Sequence, residues 1–71
     1  MTDKEIEEKV KEYIMNQLHN SKVYAKTKEE KIIDRTRAFG ALSFACQKLF
    51  STYNTSLSEW WMTEVRNQFT E

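Results

Sequence analysis

Proline is absent, and glycine, cysteine and histidine occur once each, as Gly40, Cys46 and His19. Without proline nothing in the covalent chain forces a helix to break, and one glycine leaves little for left-handed turns. A single cysteine excludes an internal disulfide. One cysteine and one histidine cannot supply the ligand sets of a structural zinc site, so no metal and no cofactor is expected. Neither sign of charge is in excess, with 11 Lys and Arg against 11 Asp and Glu. A neutral chain has no global pull toward nucleic acid or anionic membrane.

Long apolar runs are missing as well. The longest stretch without a charge or amide, Ala38 to Cys46, is far short of a membrane span. The opening MTDKEIEEKVKEY is charged throughout and does not fit a signal peptide. Asn54-Thr55-Ser56 then reads as a chance match to the glycosylation sequon, and a cytoplasmic location is expected. No phosphate-binding glycine loop, dinucleotide fingerprint, H-E-x-x-H zinc motif or nucleophile elbow occurs, so the expectation is a non-enzyme.

What remains is a chain of 71 residues, enough for one domain. A compact monomer of 8.5 kDa would expose roughly 4,700 Å² and bury about 60% of its unfolded surface, a marginal core. Folds of this size lean on a disulfide, a metal or a second chain, and here only the second chain is left.

Three capping boxes, Thr2 with Glu5, Thr27 with Glu30 and Ser56 with Glu59, mark helix starts. Met1 and Ile6 are placed for a hydrophobic staple beside the first. Helix 1 is expected from Asp3 to Leu18, with Ile6, Val10, Tyr13, Ile14 and Leu18 on one stripe. His19 to Lys26 reads as a loop in which Val23 and Tyr24 fold back as a lid. Helix 2 is expected to start after Thr27 and run to about Thr52, with Gly40 as the place open to a kink or break. Its seam is Ile32, Phe39, Leu42, Cys46, Leu49 and Tyr53. Ala38, Ala41 and Ala45 form a second, small-residue side that invites another helix, with Phe44 and Ile33 pointing away from the seam. After a loop at Ser51 to Ser56, helix 3 is expected from Leu57 to Phe69 along Leu57, Trp61, Val65 and Phe69.

The fold expected is therefore all-α, an antiparallel three-helix arrangement around a long central helix. An unbroken helix 2 would be about 38 Å long, matched by helices 1 and 3 placed end to end on one side. Its other side would be bare, and homodimerisation is the expected remedy.

Trp60 and Trp61 are neighbours, so on a helix they point about 100° apart. Trp61 falls on the core stripe. Trp60, Met62, Phe44 and Ile33 are the candidate residues of a partner interface, since aromatics carry interface energy. For Trp60 and Met62 ordinary core is an equal reading. Lys22, Lys26, Lys28, Lys31, Arg35 and Arg37, against Glu29, Glu30 and Asp34, give a local balance of +3 and a candidate nucleic-acid strip. The plainer reading is i,i+4 pairing on an exposed helix start. Cys46 on the seam reads as a buried structural thiol, and His19 as a favourable cation near a helix end. The leading functional expectation is a small helical docking module, a regulator or inhibitor of another protein. The alternative is a nucleic-acid-associated domain using Lys22 to Arg37.

Overall fold

The computed structural model describes residues 2–70, and these are all-helical with no strand. Helix α1 spans Asp3–Tyr24 and α2 spans Lys28–Lys48. The third helical segment opens as α3 (Thr55–Trp60), widens into a π-helical stretch (Trp61–Val65) and closes as a 3-10 stretch (Arg66–Thr70). Among the described residues no helix is long and apolar enough to cross a membrane.

The helix starts show which side chains win the orphan amides. At α1 the Thr2 hydroxyl accepts from the Glu5 amide at 3.2 Å, and the Glu5 carboxylate accepts from the Thr2 amide, the full reciprocal box. The staple involving Met1 lies outside the described residues. At α2 the Thr27 hydroxyl accepts from the Glu30 amide, but the Glu30 carboxylate reaches one residue further back, to the Lys26 amide at 3.0 Å. The third expected box does not form. Asn54 caps instead, its side-chain oxygen accepting from the Leu57 amide at 2.9 Å, so the helix begins at Thr55. Asparagine is at least as good a cap as serine, and it leaves the Ser56 hydroxyl to donate to Glu7 of α1 at 3.0 Å.

Helix α1 does not stop at Leu18. His19 to Tyr24 continue it, because no proline or glycine interrupts and Ser21 extends the buried stripe of Ile14 and Leu18 by one more turn. Val23 and Tyr24 consequently stay exposed on the helix and form no lid. Helix α2 ends at Lys48, short of Thr52. With 22 and 21 residues, α1 and α2 are each about 32 Å long, so the long central helix is replaced by a hairpin of near-equal partners. The pairing is antiparallel. Ile6 and Val10 border the same groove as Phe44 and Leu49, while Gln17 and Ser21 lie beside Asp34 and Arg37.

This changes what the alanine side of α2 meets. Ala38, Ala41 and Ala45 face α1 of the same chain, and Ala38 and Ala45 are buried there. Small side chains let the two backbones come close along their length. Helix α2 is thereby turned relative to the expected seam: Leu42 and Cys46 remain inside, but Ile32, Phe39, Leu49 and Tyr53 reach the surface.

The third segment closes the hairpin. Leu57, Trp61, Val65 and Phe69 are all buried, with Trp61 ring centroids 5.8 Å from both Phe39 and Phe69. Residues four apart drift by about 40° per step around an α-helix. The π-helical stretch, in which the Arg66 amide bonds back to the Trp61 carbonyl, slows that drift and keeps the stripe on the core.

Gly40 lies inside α2 with helical backbone angles, and an added Cβ would meet nothing within 4 Å. Gly40→Ala is therefore expected to stabilise by about 1 kcal/mol, the propensity gap between the two residues. Thermal melting followed by circular dichroism should show a rise of about 4–8 °C. An unchanged or lower midpoint would mean that α2 is not a continuous helix at Gly40.

Candidate interaction surfaces

Three junctions between the helical segments bring apolar and basic side chains together at the surface. Between α1 and α2, Ile6, Val10 and Tyr13 face Ala41, Phe44 and Leu49 across a groove of about 510 Å³. Ala41 leaves the floor low, and Phe44, 60% exposed, stands as a wall. Among the described residues, Lys9 is the one charged side chain on the lining.

Between α2 and the third segment lies a second cleft, of about 380 Å³, lined by Arg35, Thr36, Phe39, Trp61, Met62 and Arg66. Trp61 is only 3% exposed and forms its back, while Phe39 and Met62 are half open to solvent.

The third junction, between α1 and α3, holds Trp60. Its ring packs on the core at intermediate exposure, and Lys11 Nζ sits 5.5 Å from the ring centroid as a cation–π cover. Glu7 organises this corner, pairing with Lys11 at 3.9 Å and accepting from Ser56. The two adjacent indoles thus part ways within one chain: Trp61 enters the core and Trp60 lies against α1.

The four candidate interface residues do not form one surface. Phe44 belongs to the α1–α2 groove and Met62 to the α2 cleft. Ile33 sits near the interhelical turn beside Tyr24 and Arg37, and Trp60 at the α1–α3 corner. The groove's other members, Ile6, Val10, Tyr13 and Leu49, look like core by periodicity alone.

The basic strip is divided too. Arg35 and Arg37, two residues apart and so about 200° around α2, line different depressions. Lys22 donates to Gln68 at 3.3 Å, Lys26 and Lys28 are exposed at the turn, and Lys31 is half-buried. Arg35 is joined by Arg66, a residue outside the strip that sequence distance concealed.

His19 is exposed on α1, a full turn before its end. Cys46 is buried, and its thiol pKa is pushed up, first by burial and then by the Glu7 carboxylate. The folded state therefore favours the protonated thiol. Its contribution is fully present below the unfolded thiol's pKa and is lost as pH rises beyond that through the raised folded value. An aromatic disulfide reagent at pH 8 should label the native protein far more slowly than the denatured chain. Equal rates would place Cys46 outside the core.

No family model, no curated protein and no solved structure matches this chain. Its functional reading rests on the chemistry of these surfaces.

Proposed function

We propose that this chain is a non-enzymatic helical interaction module that docks through the α1–α2 groove, and that the occupant is a second copy of the same chain. The groove carries the reading: an apolar channel with Lys9 as its one charged lining residue among the described residues is unusual surface for a lone small domain. The molecule measures 38 × 18 × 17 Å, so one long side is comparable to the roughly 800 Å² that each partner contributes to a standard interface. Its accessible surface of 5081 Å² is above the roughly 4,700 Å² expected for a compact monomer of this mass. The zero net charge sets up no repulsion between copies. A two-fold arrangement would set Phe44 and Tyr13 of each copy against the groove of the other. A module of this kind acts on other proteins, as a regulator or inhibitor, by presenting the same surface.

Sedimentation velocity over a dilution series of wild type and Phe44→Asp tests this. Wild type is expected to rise toward twice 8.5 kDa with concentration, while Phe44→Asp stays at 8.5 kDa with its helicity intact. Association of the variant as tight as wild type, or a strictly monomeric wild type, would overturn the reading.

A second reading, nucleic-acid association through the basic residues, is favoured by Arg35 and Arg66 facing one cleft. Binding of that kind falls with salt by about 0.9 log units per log unit for each neutralised phosphate. The double substitution Arg35→Glu with Arg66→Glu should abolish it and, since neither residue lines the α1–α2 groove, leave self-association unchanged.

A further inference from the structure

We propose that the cleft between α2 and the third segment binds a small oxyanion that carries an aromatic or flat apolar body. The cleft is built from two matched pairs. On α2, Arg35 and Phe39 stand one turn apart; on the third segment, Met62 and Arg66 do the same. The two segments pack antiparallel, since the 3-10 stretch comes back beside the end of α1, where Lys22 bonds Gln68. Antiparallel packing brings the two guanidinium groups to one end of the cleft and the two apolar side chains to the other.

Charge is uncompensated at the first end. Among the described residues no carboxylate lines the cleft, and neither Arg35 nor Arg66 has an ion-pair or hydrogen-bond partner. Two guanidinium groups facing one space with no carboxylate on its lining, one of them half-buried, give that end a positive potential that favours an anion. Their planar forks suit carboxylate or phosphate oxygens. At the other end the half-exposed Phe39 ring and Met62 thioether, backed by Trp61, offer a surface for a ring. The volume, about 380 Å³, is at the small end of ligand sites and suits a single ring with its acid group. This cleft shares no residue with the α1–α2 groove, so the proposal stands apart from self-association.

Titration calorimetry with phenyl phosphate, benzoate, inorganic phosphate and benzyl alcohol tests it, alongside the ¹⁵N-resolved Nε–Hε signals of Arg35 and Arg66. Phenyl phosphate or benzoate should bind saturably and shift both arginine signals. Inorganic phosphate, lacking the ring, and benzyl alcohol, lacking the charge, should each bind at least about tenfold more weakly. Arg35→Gln and Arg66→Gln should each weaken binding by about tenfold or more, with helicity unchanged, while Arg37→Gln, an equal loss of charge outside the cleft, should not. No saturable binding of either aromatic anion would overturn the proposal. So would inorganic phosphate or benzyl alcohol binding as tightly as the aromatic anions, or Arg37→Gln weakening binding as much as the cleft variants.

Discussion

Trp61→Ala is expected to unfold most of the population, while Trp60→Ala leaves the helices standing. Trp61 is buried, touches both Phe39 and Phe69, and sits where α2 meets the third segment. Truncating a large aromatic in such a place costs about 3–5 kcal/mol, as transfer free energy plus the cavity left behind. A domain of this size has a total stability near 5 kcal/mol. Trp60 is half-buried, with Lys11 over its ring. Its loss removes partial packing and an exposed cation–π contact, at about 1 kcal/mol. Denaturant titrations followed by circular dichroism separate the two. Equal destabilisation would mean that both indoles serve the core alike and that the division of labour between them is wrong.

Phe69→Ala is expected to be nearly as severe, about 3–5 kcal/mol, although the residue stands near the end of the sequence. Here the side chain is 1% exposed, its ring lies 5.8 Å from Trp61, and the 3-10 stretch that carries it packs on both α1 and α2. The variant should lose the cooperative melt of wild type and gain exposed apolar surface, seen as dye binding. A melting midpoint within a few degrees of wild type would show that the third segment is an appendage to a self-sufficient hairpin.

Legibility followed the strength of each local signal. Periodicity placed Trp61, Val65 and Phe69 on the core face, and hydroxyl–carboxylate spacing located the starts of α1 and α2. Serine misled twice. Ser21 looked like turn chemistry at a helix end, yet it is small enough to be buried on the continuing α1 stripe. Ser56 looked like a cap, but Asn54 stood closer to the first orphan amides and took them. The seam of α2 was misjudged for a related reason. Large side chains suggested the buried face, whereas close approach of α1 selects alanines, and Phe39 and Leu49 moved outward. Once α1 ran the full length of α2, Ala38 and Ala45 were covered within the chain, and Ala41 was left on the floor of the open groove. The surfaces that remain open were less legible than the core. The groove depends on which flank of each helix the third segment covers, and the pairing of Arg35 with Arg66 depends on a return of the chain that no local spacing encodes.

The most direct measurement is an isotope-filtered NOE experiment on a mixed sample of labelled and unlabelled protein at millimolar concentration. Self-docking through the α1–α2 groove predicts cross-peaks between chains at Tyr13, Phe44 and Leu49. Absence of any interchain cross-peak there, or cross-peaks confined to Phe39 and Met62 on the other flank of α2, would contradict it.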